Sequence, residues 1–211
     1  KSANPTATVA PKLHTPLHAL HIELGGRMVD FAGFDLPVHY PAGIMAEHSH
    51  TRQAASLFDV SHMGQLKLRA KSAGVDPATA LEALVPGDIV GLAPGRMRYT
   101  LFTNEDGGIL DDLMVTLLDA ATLYLVVNAA CKQADLAHLR RHLGAVVKID
   151  YLEDRALMAL QGPASAEAMA HLAADVARLS FLGAAEMQMA GIAAIVTRSG
   201  YTGEDGFEIS V

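Results

Sequence analysis

Residues 97–118 read MRYTLFTNEDGGILDDLMVTLL, and this stretch indicates the fold class. Two runs of apolar and β-branched residues flank the turn sequence Asn-Glu-Asp-Gly-Gly at positions 104–108. Such a turn joins neighbouring strands in opposite directions, so the two runs are predicted to form an antiparallel pair. Residues 57–70 are likewise predicted to form a strand, a tight turn and a second strand, and residues 186–197 a hairpin that turns at Gly191.

Helical segments are interspersed with the strands without alternating strictly with them. They are predicted over residues 15–25, 44–55, 76–84, 130–143 and 162–173. Thr15 and Asp76 are the predicted N-cap residues of the first and third segments. Residues 28–40 are predicted to form a short strand and a loop. This mixture predicts an α+β protein with mainly antiparallel sheets flanked by helices, rather than a doubly wound parallel sheet.

Composition excludes several classes of protein. The 211 residues are 51% hydrophobic and 18% charged, which excludes intrinsic disorder. The net charge of −7 argues against general binding to nucleic acid. No apolar run approaches the roughly 20 residues of a membrane-spanning helix, so no membrane association is expected. Cys131 is the single cysteine, which excludes an intrachain disulfide and a cysteine zinc site.

The two ends of the chain differ in character. Residues 1–11 read KSANPTATVAP and have no apolar periodicity, so they are predicted to form a flexible leader. The chain stops at Val211 within the strand-like run FEISV. We therefore expect the natural protein to continue beyond this point.

The adjacent carboxylates Asp111 and Asp112 are the most informative candidate site residues. Neighbouring side chains on a strand point to opposite faces, so these two cannot chelate one metal ion from a regular strand. Each shares its face with apolar residues, where a carboxylate without a partner is costly. The alternative is that one aspartate lies at a sheet edge and the other binds backbone N–H groups in a turn.

The second candidate is the glycine-rich segment at residues 200–208, which reads GYTGEDGFE. Glycine lets the backbone approach a ligand closely. Glu208 follows on a predicted strand, where a carboxylate can accept two parallel hydrogen bonds from a flat N–H/NH₂ edge such as that of a pterin ring. The alternative is an ordinary tight hairpin with solvated acidic residues.

Several histidines occur in close pairs, and His138 and His142 have the i,i+4 spacing of helical zinc ligands. The residues between them are Leu139-Arg140-Arg141, which supply no further ligand and place two cations beside the pair. No metal site is predicted. Cys131 opens a helix, where a thiol pKa can fall, but a packing role is favoured over a reactive one.

A set of motifs, in order from about residue 13 to residue 211, resembles the aminomethyltransferases of the glycine cleavage system, the T proteins. The motifs are TPL at 15–17 with MVDFAG at 28–33, FDVSHMG at 58–64, LFTNEDGGILDD at 101–112, LQGP at 160–163 and RSGYTGEDG at 198–206. One departure is Phe34, which stands where the family usually has tryptophan.

The resemblance implies a reaction and the residues that perform it. The family takes the aminomethyl group from the dihydrolipoyl arm of the H protein, releases ammonia and passes the one-carbon unit to tetrahydrofolate, its co-substrate, as 5,10-methylenetetrahydrofolate. Asp112 matches the aspartate at the folate nitrogens that receive the carbon and is the predicted catalytic residue. The residues that match folate contacts are Met63, Tyr99, Asn128, Tyr201 and Glu208. No metal is implied.

The resemblance also implies a domain organisation. Residues 12–58 and 150–211 are expected to form one discontinuous α+β domain, with residues 59–149 inserted as a second. The family's pocket arginine and its C-terminal β-domain lie beyond Val211. We therefore expect this 211-residue chain to be inactive alone.

Two alternatives share the scaffold. One is another folate-dependent enzyme, such as a demethylase, and the other is a non-enzymatic folate-binding homologue. The latter usually carries a Lys-Gly-Cys motif, which this chain lacks. The expected partners are the H protein and the other glycine cleavage components, and the expected location is the cytoplasm of a bacterium or the mitochondrial matrix of a eukaryote.

Overall fold

The structure is a computed structural model that describes residues 11–211. The predicted flexible leader therefore lies outside the described residues, apart from Pro11. The helices are α1 His18–Glu23, α2 Ile44–Gln53, α3 Pro77–Glu82, α4 Lys132–Leu143 and α5 Ser165–Ala170, with a 3₁₀ helix at Ala174–Arg178. The strands are β1 Met28–Phe31, β2 Phe34–Pro37, β3 Ser56–Asp59, β4 Gly64–Ala70, β5 Arg96–Thr103, β6 Ile109–Asp119, β7 Thr122–Val127, β8 Val147–Tyr151, β9 Leu157–Gln161, β10 Gly183–Met189, β11 Ile192–Arg198 and β12 Gly206–Ser210.

Ten of these strands form one antiparallel sheet in the order β3-β9-β12-β11-β10-β5-β6-β7-β4-β8, and β1 and β2 form a separate hairpin. The predicted antiparallel pairs β5–β6 and β10–β11 are both confirmed. Asp76 caps α3, because its side chain accepts hydrogen bonds from the backbone N–H groups of Ala78 and Thr79. The protein is α+β, with helices against an antiparallel sheet, as the sequence predicts.

The sheet consists of two halves that meet between β10 and β5. Only one residue pair, Gly183 with Arg96, joins these two strands in register. One half contains β3 and β9–β12, and the other contains β4–β8. The domain assignment made from the sequence stays a prediction.

Each half has its own core on the outer face of the sheet. The core that α3 and α4 form with β4–β8 includes the buried side chains of Leu66, Leu125 and Leu139. The core that α5 and the 3₁₀ helix form with β9–β12 includes the buried side chains of Met169 and Phe207. Burial of these apolar side chains is the main stabilising contribution in both halves.

A third core lies between the two halves. Tyr124 and Val126 on β7 pack against Leu157 on β9 and Ile195 on β11. These strands are far apart in the order of the sheet, so the contact requires the sheet to curl until its inner face meets itself. The inner face is consequently concave and has side chains from both halves.

The strand, tight turn and second strand predicted over residues 57–70 are confirmed as β3 and β4, but these two strands do not pair with each other. β3 pairs with β9 at one edge of the sheet, whereas β4 pairs with β7 and β8 near the other edge. Val60 N–H donates to the Leu157 carbonyl and continues the pairing of β3 with β9, and the chain then crosses to β4 in the other half. A short connection in the sequence does not reveal which neighbour each strand pairs with.

Three smaller predictions also differ from the structure. Thr15 is not the N-cap residue of α1, which begins after Leu17 without a side-chain cap. The segment predicted as a short strand and loop is the β1–β2 hairpin. The helix predicted over residues 162–173 is the shorter α5, and a separate 3₁₀ helix follows at Ala174–Arg178.

Candidate functional site

The strand β6 presents Asp111 and Asp112 to opposite faces of the sheet, as their adjacency predicts. Asp111 is buried on the same face as Leu113, which belongs to the core under α4. Asp112 is partly exposed and shares the inner face with Met114, which packs against the third core. Neither aspartate caps a turn or lies at a sheet edge, so the alternative explanation of this pair is not what the structure shows.

Asn128, which follows β7, holds the two aspartates together. Its side-chain Nδ2 lies 3.0 Å from Asp111 Oδ1 and 2.9 Å from Asp112 Oδ1. The same nitrogen lies 3.1 Å from the backbone carbonyl oxygen of Asp112. The amide therefore donates to both carboxylates and fixes the orientation of the Asp112 side chain on the inner face.

Tyr99 on β5 stands on the same side of the sheet as Asp112. Its Cα partner on β6 is Met114, and the partner of Leu101 is Asp112, so all four side chains share a face. The phenol ring is 59% exposed, which leaves it available to a ligand. Loss of water around the hydroxyl, together with the negative charge of Asp112, raises the pKa of Tyr99.

Glu208 on β12 occupies the inner face of the other half. Its neighbours Phe207 and Ile209 point to the opposite face and are buried in the second core. Its own side chain is partly exposed, and no hydrogen bond from residues 11–211 reaches its carboxyl group. Burial of this group raises the pKa of Glu208, because a carboxylate without donors is poorly stabilised there.

Polar side chains that the sequence analysis missed close the inner face next to Glu208. Tyr124 OH donates to Gln65 Oε1 at 2.8 Å, and Gln65 Nε2 donates to the Arg155 carbonyl at 3.0 Å. Arg155 Nε in turn donates to Ser210 Oγ at 2.8 Å. This chain of bonds joins β7 and β4 of one half to β12 of the other. Alternation along β4 was the available signal, because Gln65, Lys67 and Arg69 alternate with the buried Leu66 and Leu68.

A salt bridge makes a second connection across the concave face. Lys67 Nζ on β4 lies 2.6 Å from Glu186 Oε1 on β10. Both residues line a cleft of about 370 Å³ together with Arg155 and Ile195. None of the predicted site residues lines this cleft, so it is adjacent to the predicted site and separate from it.

Met63 belongs to the connection between β3 and β4. It packs against the third core, and it lines a second cleft of about 230 Å³ with Phe34 and Lys132. Lys132 Nζ donates to the His62 carbonyl at 2.8 Å and lies 4.5 Å from the centre of the Phe34 ring. The phenylalanine at the family's usual tryptophan position therefore keeps an aromatic contact with the loop that positions Met63.

Asp59 anchors the start of that connection. His21 Nε2 lies 2.9 Å from Asp59 Oδ2, and His21 Nδ1 lies 2.7 Å from the hydroxyl of Tyr40. The backbone N–H of Ser61 donates to Asp59 Oδ1 at 3.0 Å. Burial opposes ionisation of Asp59, but these donors outweigh it and lower the pKa of this carboxyl. The network ties α1 to the loop that carries Met63.

The glycine-rich loop at residues 199–205 is held by arginines, so its acidic residues are paired rather than solvated. Arg198 binds the Asp205 carboxylate through two nitrogens, at 2.9 and 2.6 Å. Arg52 lies 2.8 Å from Glu204. Tyr201 at the tip is 86% exposed, and the structure does not bring it to the other predicted site residues. Its role in binding stays a prediction.

One group of possible metal ligands occurs in the described part of the chain, formed by His14, His18 and Asp35. The two imidazole rings stack in parallel, with centroids 3.7 Å apart and 6° between their planes. Parallel rings have parallel lone pairs, which do not converge on one ion. Lys12 Nζ also lies 2.7 Å from Asp35 Oδ1 and neutralises it. We assign no metal to this group, and the absence of a metal stays a prediction.

Cys131 and His138 show no sign of reactivity. Cys131 is partly buried at the start of α4, and burial with the nearby Asp111 charge raises the pKa of its thiol. His138 packs edge-on against Phe102, and burial lowers the pKa of its imidazole. No helix among residues 11–211 is long and apolar enough to span a membrane.

Comparison with known proteins gives a consistent result. A family model described as the GCVT N-terminal domain matches residues 17–211. The chain is 47% identical to the mitochondrial aminomethyltransferase of Homo sapiens over 205 residues, which are 93% of this chain and 50% of that protein. It is 44% identical to the mitochondrial aminomethyltransferase of Dictyostelium discoideum over 207 residues, again 93% of this chain and 50% of that protein.

A solved structure is also similar. The glycine cleavage system aminomethyltransferase T from Bartonella henselae superimposes with a TM-score of 0.86 at 40% identity. The match covers 94% of this chain and 53% of that chain. The present chain thus spans about half the length of the relatives it matches.

Proposed function

Because the chain belongs to the GCVT N-terminal domain family, we propose that it carries the folate site of an aminomethyltransferase of glycine cleavage. In this proposal the aminomethyl group comes from the dihydrolipoyl arm of an H protein, ammonia is released and tetrahydrofolate accepts the carbon. The whole reaction belongs to proteins about twice as long as this chain. We keep the expectation that the 211 residues alone do not turn over.

One observation carries the proposal. Two partly exposed carboxylates, Asp112 and Glu208, open onto the same concave face from opposite halves of the sheet. Asp112 is already held by Asn128, whereas Glu208 has no donor among the described residues. A ligand that lies across the face and brings N–H donors to Glu208 would satisfy it and place its other end toward Asp112.

Tetrahydrofolate has the chemistry that this arrangement needs. Its pterin ring presents an N3–H/2-NH₂ edge, to which the Glu208 carboxylate can bind through two parallel hydrogen bonds. The exposed ring of Tyr99 offers a flat surface for stacking. Met63 and Asn128 complete the contacts that the resemblance implies, and both lie on or beside the inner face.

Asp112 is the proposed catalytic residue. The transfer forms two C–N bonds, one to each folate nitrogen that receives the carbon, and breaks the bonds from that carbon to the amino nitrogen and to the sulfur of the dihydrolipoyl arm. The two folate nitrogens each lose a proton, and these protons leave with ammonia and the freed thiol, while positive charge develops on the attacking nitrogen. A carboxylate at this position accepts a proton and stabilises the charge. Much of the acceleration would come from holding folate next to the lipoyl arm.

The remaining assignments follow from the same proposal. The partners are the H protein and the other glycine cleavage components, and no metal takes part. The location is the cytoplasm if the source is bacterial and the mitochondrial matrix if it is eukaryotic. A folate-dependent demethylase on this scaffold is the rival, and it would not need the H protein.

Direct titration with tetrahydrofolate tests the proposal, since binding does not require turnover. The chain is expected to bind tetrahydrofolate, and Glu208→Gln is expected to weaken binding by about tenfold or more, because the charge-assisted bonds are lost. Glu105→Gln, in the exposed turn after β5, is the matched control. Equal affinity in both variants would contradict the assignment. Ammonia release stimulated by aminomethylated H protein, in an enzyme of full family length, separates the proposal from the demethylase.

A further inference from the structure

A second acidic group lies directly behind Asp112, on the outer face of the sheet. Asp111 on β6 and Asp135 in the first turn of α4 are both buried, with exposures of 9% and 3%. Their side chains lie within hydrogen-bonding reach of each other. The proposed reaction has no direct role for this pair of contacting carboxyl groups in the apolar core.

Each of these carboxyl groups has an unsatisfied oxygen. Asp111 Oδ2 and Asp135 Oδ2 are buried and have no hydrogen-bond donor among the described residues. Both oxygens are acceptors when the groups are ionised, so neither can satisfy the other. A single proton between the two groups converts one of them into a donor and removes the mismatch.

The charges around the pair favour retention of that proton. Asp112 adds a third carboxylate nearby, and the Cys131 thiol, which lies within hydrogen-bonding reach of Asp111, is a weak donor that adds no positive charge. The first turn of α4 favours ionisation through the helix dipole, but burial and the two neighbouring carboxylates oppose it. These influences together raise the pKa of Asp135 to about 8, with burial as the largest cause.

We propose that Asp111 and Asp135 share one proton, and that this pair is a positioning device that holds Asn128, and through it the side chain of Asp112, in the orientation the reaction needs. The proposal rests on the proposed function only for the importance of Asp112. With one charge removed, Asp111 Oδ1 remains an acceptor for Asn128 Nδ2 at 3.0 Å, while the same nitrogen donates to Asp112 Oδ1 at 2.9 Å. If both members were ionised, three carboxylates would repel one another around one amide.

Carboxyl-carbon NMR with labelled aspartate tests this without any folate or turnover. At about pH 6, between the ordinary aspartate pKa and the neutral range, one aspartate resonance is expected at the position of a protonated acid. That resonance should disappear in Asp135→Asn and persist in the exposed turn variant Asp106→Asn. A spectrum in which every aspartate is ionised at this pH would overturn the shared proton.

The link to Asp112 is tested by comparing two substitutions at the same position. Asp135→Asn still donates a hydrogen bond to Asp111, so the side-chain amide resonances of Asn128 and the carboxyl-carbon resonance of Asp112 should stay as in the wild type. Asp135→Ala removes the donor, so both should shift. Equal behaviour of the two variants, at matched thermal stability, would overturn the positioning role. If Asp135→Ala does not fold, Asp135→Leu, which also lacks a donor but fills the space, supplies the same comparison.

Tetrahydrofolate titration of the same samples separates the two proposals. Failure of the wild-type chain to bind tetrahydrofolate would count against the proposed function and leave the NMR results for the proton pair intact. Normal binding together with fully ionised aspartates would count against the proton pair alone.

Discussion

The two halves of the sheet present their carboxylates to the concave face in different states. In the β4–β8 half, Asp112 is held by Asn128, and Asn128 is itself held by Asp111. In the β9–β12 half, Glu208 has apolar neighbours along its strand and no donor among the described residues. The first carboxylate is orientated by a protein donor before a ligand arrives, and the second is left to bind solvent or a ligand.

This difference matches two different tasks. A group that takes part in chemistry benefits from a fixed orientation, because small displacements slow a reaction steeply. A group that binds a substrate can remain unsatisfied in the free protein, because the cost of its burial is recovered when the ligand supplies hydrogen bonds. Under the proposed function, turnover would depend on the Asp112 half and affinity on the Glu208 half.

The largest expected effect separates these tasks at Asp112. Asp112→Asn should lower kcat for ammonia release by about 10² or more and change tetrahydrofolate affinity little, because it removes the charge and keeps the shape. The measurement belongs in an enzyme of full family length supplied with H protein. Asp111→Asn should act mainly through folding, by about 1–3 kcal/mol. Near-normal turnover in Asp112→Asn with a collapse in folded Asp111→Asn would reverse the assignment of the two faces.

The next largest effects concern Glu208, whose substitution is expected to weaken ligand binding but to stabilise the unliganded chain. Glu208→Gln should weaken tetrahydrofolate binding by about tenfold or more and, at neutral pH, stabilise the unliganded chain. A carboxyl whose pKa is raised on folding stabilises the fold below its ordinary value of 4.5, and this contribution is lost as the pH rises through the raised value. Urea unfolding at several pH values with and without folate measures both effects. A variant destabilised at neutral pH would contradict the unsatisfied state of Glu208.

A pH effect of the same sign is expected at Asp135. The pKa of this group is raised from 3.8 to about 8, so its contribution to the free energy of unfolding is present below about pH 4 and is lost as the pH rises toward about 8. Asp135→Asn should remove this dependence, and the variant should gain stability relative to the wild type across that window. A difference in unfolding free energy that does not change with pH would contradict the prediction.

The smallest expected effect tests whether a change outside the concave face leaves tetrahydrofolate binding unaltered. Asp76 caps α3, on the outer face of the sheet. Asp76→Ala should lower the free energy of unfolding by about 1 kcal/mol through loss of the cap. Tetrahydrofolate affinity should stay the same, because α3 does not reach the concave face. Asp76→Asn, which retains a capping side chain, is the control. A loss of tetrahydrofolate affinity in Asp76→Ala alone would show that α3 is coupled to the concave face, contrary to the prediction.

Local patterns in the sequence predicted the elements of this fold well. The turn at residues 104–108 and the glycine at 191 specify hairpins through backbone geometry that few other residues accept. Asp76 followed by proline specifies a helix start for a similarly local reason. The opposite directions of Asp111 and Asp112 followed from strand alternation alone.

Long-range pairing was not predictable from those patterns. Residues 57–70 correctly indicate a strand, a turn and a second strand, but they do not show that β3 pairs with β9 and that β4 pairs with β7 and β8. The network from Tyr124 through Gln65 and Arg155 was likewise not predictable, because it depends on the curl of the sheet, which brings distant strands together. The roles assigned to Asp112 and Glu208 came from family resemblance, and geometry adds the contrast between their surroundings.

A crystal structure of the chain with bound tetrahydrofolate is the most direct test of whether one ligand spans both halves of the concave face. We expect the pterin N–H edge to lie against the Glu208 carboxylate, and the folate nitrogens that receive the carbon to lie toward Asp112 and its partner Asn128. Tetrahydrofolate bound instead in the cleft beside Lys67 and Glu186, without contact to Glu208 or Asp112, would show that the concave face is not the folate site.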